Sequence, residues 1–419
     1  MVKKEAERYE LAKRKYIRGR FKELEDYRDE VWHCNRCNMC KEVFGWYMKS
    51  NEFSDICSAF AFRKWDAYSA QGKMHIARAL IDEEMGWEDS ALLPQIIFSC
   101  DMCGGCTVNA LRIMEESPLE VFRALRARAL EKGLTPTTHK RFYESTMKYG
   151  NPLAAPREER LTWTKGLGFE IKTLPKEHAA VLLYTGCQYE LESTVRDTLK
   201  TIAQVLRAGG VDFGFLGADE KCCGGMQLLM GETGMFEQLA KDNIRTFNEL
   251  GIETLVTPCA HCYNTFVNEY VELGEMNFEV LHAVHLFDRL IAAGKIELGE
   301  VPREVMTYHD PCDLGRKSGE YDTPRQLLNA IKGVELREME RMKDQTWCCG
   351  AGGGLLEAYP DQAAWAARER IKEARATTGA ETLVTACPWC EYSLKNAVEA
   401  IGAKIKISDI AEIIQRASK

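Results

Sequence analysis

Ten of the seventeen cysteines fall into two groups of five with the same internal order. Cys187 stands alone, Cys222 and Cys223 are adjacent, and Cys259 and Cys262 form a C-x-x-C; Cys312, Cys348, Cys349, Cys387 and Cys390 repeat that order. Matching cysteines lie 125 (Cys187 to Cys312), 126 (Cys222 to Cys348) and 128 (Cys259 to Cys387) residues apart. Both C-x-x-C pairs follow the pentapeptide E-T-L-V-T, residues 253–257 and 381–385, and both vicinal pairs are followed by glycine, Gly224 and Gly350. A near-constant internal period marks a duplicated structural unit. Each unit gathers five thiols where four suffice for a cubane iron–sulfur cluster, and adjacent cysteines can bridge two irons. Structural disulfides are one rival reading, disfavoured in a reducing compartment. Zinc is another, but its closed tetrahedral sites have no place for a fifth thiolate.

The other seven cysteines precede these. Cys34, Cys37 and Cys40 are spaced by two residues, Cys57 is alone, and Cys100, Cys103 and Cys106 repeat the two-residue spacing. Three thiolates so spaced wrap one corner of a [4Fe–4S] cubane, and in two-cluster arrangements the distant fourth cysteine serves the other cluster. Cys57 then completes the Cys100, Cys103 and Cys106 set. The Cys34 set would take its fourth ligand four residues after Cys106, where Ala110 stands. Three solutions stay open there: a [3Fe–4S] centre, a cubane with a ligand such as Asn109 or His33, or a corner open to solvent.

The pattern C-x34-CC-x35-C-x-x-C followed by C-x35-CC-x37-C-x-x-C resembles the paired cysteine-rich CCG domains of heterodisulfide reductase catalytic subunits, among them the form that fuses the C- and B-type chains, and of related iron–sulfur oxidoreductases. The likeness takes in the run Tyr308 to Cys312 (Y-H-D-P-C), Leu314 to Arg316 (L-G-R) and Cys348 to Gly354 (C-C-G-A-G-G-G). The segment carrying the first seven cysteines, with 42 residues between Cys57 and Cys100, resembles the helical ferredoxin domain of succinate dehydrogenase and heterodisulfide reductase subunits.

The resemblance implies a multidomain α and α/β chain. An N-terminal α-helical ferredoxin domain, residues 1–150 with a linker to 178, precedes two repeated Rossmann-like α/β CCG domains, 179–300 and 301–419. It implies two noncubane [4Fe–4S] clusters on the ten cysteines, beside the cubane sites. The favoured function is that of an electron-transfer subunit in a larger anaerobic complex, such as one serving benzoyl-CoA reductase or an electron-bifurcating system. Its partners would be other redox subunits, flavin-containing or ferredoxin-like donors. In the alternative, a disulfide between the two noncubane clusters takes two electrons and two protons and leaves as two thiols. A zinc or structural scaffold protein is the reading from another class.

Among the histidines, His282 and His285 read as structural. His261 and His309 sit beside cluster cysteines, where an imidazole can hand over a proton as a disulfide is cleaved. They are the candidate catalytic residues. Asp313 stands where the family often has histidine. The run Gly352 to Gly354 lacks the G-x-G-x-x-G pattern and following acid of a dinucleotide loop.

Composition bounds the rest. The net charge of −8 and pI near 5.7 argue against a general nucleic-acid binder. Mean hydropathy is −0.32, with no run of roughly 18 apolar residues to span a membrane. Residues 1–30 lack the apolar core of a signal peptide, so a reducing, cytoplasmic setting is expected. Within residues 2–30, Tyr9, Tyr16, Phe21, Leu24 and Tyr27 are among those at helical spacing.

The elements that position these residues follow from periodicity. Helix is expected from Met74 to Met85 and from Pro118, capped by Ser117, to about Lys132. Residues 133–178, with four prolines, read as linker. From Ala179 apolar runs alternate with helical patterns: strands at 181–184, 211–215, 254–257, 305–308, 334–339 and 382–385, helices at 194–208, 226–250 and 359–376. That alternation predicts parallel sheets with the cysteines at the carboxyl ends of the strands.

Overall fold

The computed structural model describes residues 23–111 and 117–419. The amphipathic pattern before residue 23 lies outside the described residues.

Two parallel sheets carry the chain from Lys172 onward. The first contains β1 (Lys172–Thr173), β2 (Val181–Leu183), β3 (Phe213–Phe215), β4 (Thr254–Thr257) and β5 (Glu279–His282), in the order β1-β3-β2-β4-β5. The second contains β6 (Glu300–Tyr308), β7 (Lys332–Leu336), β8 (Thr382–Thr385) and β9 (Lys406–Asp409), in the order β7-β6-β8-β9. Removing β1 makes the two orders identical. The register repeats as well: Leu183 pairs with Val256, and Tyr308 with Val384. Leu182, Leu183, Leu255, Val256, Leu383 and Val384 are fully buried, as expected for parallel strands covered on both faces. In each unit the chain leaves the central strand, β2 or β6, for one neighbour and then crosses to the other side, so the crevice opens at the carboxyl ends of β2 and β4, and of β6 and β8.

Several elements differ from the sequence expectation. The stretch read as linker folds into a helix, Thr137–Tyr149, a 3₁₀ segment, Arg157–Thr164, and the edge strand β1. The expected helix 226–250 is broken into Gly225–Leu229 and Thr233–Glu249. The break falls at Gly231, whose φ of +97° is open to glycine, and where a Cβ would stand 2.6 Å from the backbone of Arg126. Ser117 makes no capping bond, although Pro118 opens the helix Pro118–Glu131 as expected.

The N-terminal unit is helical, with Ala70–Ile81, Leu93–Phe98, Gly105–Leu111 and Pro118–Glu131 as its main segments. Its core is built from Met74, Ala77, Leu93, Ile97, Phe98, Leu119, Phe122 and Leu125. Arg126 ties it to both sheets. The guanidinium is fully buried and donates to the carbonyls of Ile97 (3.3 Å), Cys100 (2.6 Å), Leu229 (2.8 Å) and Gly353 (2.7 Å). Gln362 donates to the Ser99 carbonyl (2.7 Å) and Arg341 to that of Asp55 (2.7 Å), so the helical unit seats mainly on the second sheet. The two sheet units share one continuous hydrophobic core.

Candidate metal centres

Each five-cysteine set forms where three loops leave neighbouring strands. Cys187 follows β2, Cys222 and Cys223 follow β3, and Cys259 and Cys262 follow β4. Cys312, the pair Cys348 and Cys349, and the pair Cys387 and Cys390 follow β6, β7 and β8 in the same way. Buried ion pairs lock the first loop of each unit. Glu220 accepts from the Thr185 amide (3.0 Å) and the Gly186 amide (2.8 Å), and is itself paired with Arg160 (3.3 Å), which also contacts Glu190. Asp310 takes that role in the second unit, paired with Arg325 (2.7 Å) and accepting from the Lys343 amide (2.8 Å).

The ten thiols are neighbours along one row, each within interaction range of the next. Cys187 contacts Cys222, which contacts Cys223; Cys223 contacts Cys262, and Cys262 contacts Cys259. Cys259 then contacts Cys387 of the other unit, and the row continues through Cys390, Cys349 and Cys348 to Cys312. All seventeen cysteines are free. Backbone amides point at several sulfurs: Gly224 at Cys222, Gly350 at Cys348, Cys262 at Cys259 and Met102 at Cys100, each at 3.4 Å. Gly224 and Gly350 sit at φ of +78° and +84°, which lets the amide turn back onto the preceding thiol. N–H donors aimed at sulfur favour thiolate over thiol, which suits a metal ligand.

The seven N-terminal cysteines fall into two neighbourhoods. Cys57 feels the charge of Cys100, and Cys106 that of Cys100, Cys103 and Cys57. Cys40 lies with Cys34 and Cys37, and burial pushes its thiol up to about 11. Arg36 and Asn38 adopt left-handed conformations (φ 60° and 67°) that curl this loop around its three thiols. Cys103 also reaches the second sheet unit: the ligand atoms of Asp101, Cys103 and Cys348 lie within 4.8 Å of one another.

The two candidate histidines present different ring edges. Arg370 Nε donates to His309 Nδ1 (3.0 Å), so the neutral ring carries its proton on Nε2. A ring nitrogen of His309 lies within 4.8 Å of the Cys349 and Cys390 sulfurs, and Nε2 has no hydrogen-bond partner. His261 Nδ1 instead faces Asp313 Oδ2 (2.8 Å) and donates to it, leaving Nε2 as an acceptor without a hydrogen-bond partner. Burial alone would raise the Asp313 carboxyl, but Lys317 (2.6 Å) and His261 outweigh it and hold it well below the usual range. His261 lines a narrow cleft with Cys187, Cys222, Cys223, Cys259, Cys262, Phe142, Pro152, Met226 and Trp389. His282 and His285 do not join the site. His282 contacts the Pro258 carbonyl (3.1 Å) and His285 pairs with Glu320 (2.8 Å).

Arg160, Glu220 and Arg370 were not legible as site residues. Arg370 sits in the interior of the helix Pro360–Thr378 and reads like a surface arginine; only its position in an alanine-rich stretch hints at burial.

The family of CCG cysteine-rich domains matches residues 181–267 and 306–395. The chain carries two CCG domains. Their boundaries enclose the two sets of strands and loops that bear the ten thiols. Over 395 residues the chain is 28% identical to the D subunit of the dihydromethanophenazine:CoB–CoM heterodisulfide reductase of Methanosarcina acetivorans, covering 93% of this chain and 94% of the relative. It is 30% identical to the EtfAB:quinone oxidoreductase of Syntrophomonas wolfei, across 77% of this chain and 46% of that protein. It is 29% identical to the probable iron-sulfur-binding oxidoreductase FadF of Bacillus subtilis, across 83% and 50% respectively. The CCG match and these relatives support iron–sulfur clusters and an oxidoreductase-type subunit. Among the described residues no helix is long and apolar enough to cross a membrane.

Proposed function

We propose that the chain is an iron–sulfur electron-transfer subunit of a larger anaerobic redox complex, working in the cytoplasm with flavin-containing or ferredoxin-like partners. The observation that carries this is the continuity of sulfur. Exposed Cys37 and Cys40 belong to one N-terminal group, Cys40 lies within electrostatic reach of Cys106 in the other, and Cys103 of that second group comes within 4.8 Å of Cys348 and so of the paired CCG thiols. The Cys57, Cys100, Cys103 and Cys106 thiols would hold a cubane, and the ten CCG thiols two noncubane clusters. Bound clusters supply one-electron redox chemistry. The protein positions them through the amide-to-sulfur bonds and the ion-paired loops, and keeps water out by burying nine of the ten CCG thiols.

A second reading, reduction of a disulfide, is favoured by the two imidazoles. The stoichiometry is RSSR′ plus two electrons and two protons giving RSH and R′SH. His309 holds a proton on Nε2 in a ring beside Cys349, and His261 offers a lone pair into the cleft of the first unit. The pair can therefore shuttle protons beside each of the two five-thiol sets.

Anaerobic purification tests the first reading. The protein is expected to be brown, with about 12 to 16 irons per chain; a colourless zinc-loaded protein overturns both readings. Thiol release from a heterodisulfide under a reduced dye separates the second reading from the first.

A further inference from the structure

We propose that the Cys34, Cys37 and Cys40 set holds its cluster with three protein ligands and an open corner. It rests as [3Fe–4S] and takes up and releases a fourth iron. This rests on the iron–sulfur reading above and concerns one site within it.

The side chains around the set carry the inference. Asn109 is fully buried, and its carboxamide is spent on the protein: Nδ2 donates to the carbonyls of Met39 (3.0 Å) and Glu42 (2.6 Å), and Oδ1 accepts from Gln345 Nε2 (3.4 Å). Its one oxygen therefore faces the second CCG domain. Met39 and Glu42 flank Cys40, so the same two bonds clamp the helix Gly105–Leu111 onto the Cys40 loop. The next residue, Ala110, occupies the position from which a fourth ligand would arrive, and a methyl group has no lone pair to give. Cys57 is half-buried and lies in the electrostatic reach of Cys100 and Lys73, which places it with the neighbouring set. Cys37 is exposed, which gives solvent and small Lewis bases access to the open corner. An iron held only by sulfide and an external ligand exchanges; irons held by thiolates stay.

The test uses the full chain, reconstituted anaerobically, in its natural form and as Ala110→Cys, His33→Ala and Cys37→Ser. Oxidised natural protein is expected to show the paramagnetic resonance of a three-iron cluster. Dithionite with ferrous salt should abolish it, as one electron and one Fe²⁺ convert the +1 three-iron core to a +2 four-iron core. Ferricyanide should restore it by taking that electron back as the ferrous ion leaves. Ala110→Cys should lose the signal permanently and gain about one iron per chain, His33→Ala should keep it, and Cys37→Ser should lose it while other clusters persist. A four-iron site in the natural protein that resists ferricyanide and is unchanged in Ala110→Cys overturns the proposal. So does a signal first appearing in His33→Ala, which would make His33 the fourth ligand. Absence of iron from every variant would instead refute the underlying iron–sulfur reading.

Discussion

Cys103 and Cys348 bring their sulfurs within 4.8 Å of each other across the boundary between the N-terminal helical unit and the second CCG domain. The first CCG domain joins the row further along, beyond Cys349 and Cys390, where Cys259 meets Cys387. The two repeats are therefore alike in topology and unequal in position. On the electron-transfer reading, Cys348 is the first CCG thiol that the N-terminal set would reach.

That inequality gives a spectroscopic expectation. Replacing Cys223 by Ser should remove about one cluster's worth of iron and the noncubane signal of the first domain, while leaving the signal of the second. Replacing Cys349 should do the reverse. Paramagnetic resonance of the dye-reduced proteins checks both, and identical spectra in the two variants would remove the vicinal cysteines from the ligand set.

Arg126 joins all three units through carbonyls alone. Arg126→Met keeps the bulk but leaves buried acceptors at Ile97, Cys100, Leu229 and Gly353 without their donor. A loss of about 3 kcal/mol or more is expected. Urea unfolding of the anaerobic protein measures it, and a change below about 1 kcal/mol would mean that water replaces the guanidinium.

Arg160 is paired with two buried carboxylates, Glu190 and Glu220, and burial with Glu220 nearby pushes Glu190 up to about 8. Arg160→Met should cost about 3–5 kcal/mol, because it leaves the negative charge shared by Glu190 and Glu220 buried without a cation. Adding Glu190→Gln to the same chain should recover part of the loss. A double variant no more stable than the single one would contradict this.

His139 supplies a pH dependence. Burial pushes it down to about 4 from an ordinary 6.5, and its Nε2 donates to the Gly354 carbonyl (2.8 Å). The unfolded chain thus binds more protons between pH 6.5 and 4, so stability rises with pH across that window and falls on acidification. His139→Gln should flatten the slope of the urea midpoint between pH 5 and 7. An unaltered slope would assign the acid sensitivity to other groups.

The repeat, the parallel sheets and the nearness of Cys57 to the Cys100 set were all readable from spacing, because strand periodicity and ligand spacing are local properties. The contacts that join the groups were not. Cys259 meets Cys387, and His261 meets Asp313, only because the two CCG domains share a core, and nothing within either segment encodes that meeting. Gly231 sat inside what read as one long helix. Its role became visible only once Arg126 was seen lying against it. Prolines between 136 and 175 suggested a connector, yet Arg160 from that stretch is the cation that fixes the first cysteine loop.

The sulfur row has one more effect, which concerns oxygen. Thiols that interact across a domain boundary, as Cys259 and Cys387 do, can be oxidised to one another, and nine of the ten CCG thiols are buried. A freshly folded chain that met air before metal would be stapled shut at Cys259 and Cys387. On the iron–sulfur reading, loading with iron and sulfide before exposure to air would forestall that bridge between the two domains.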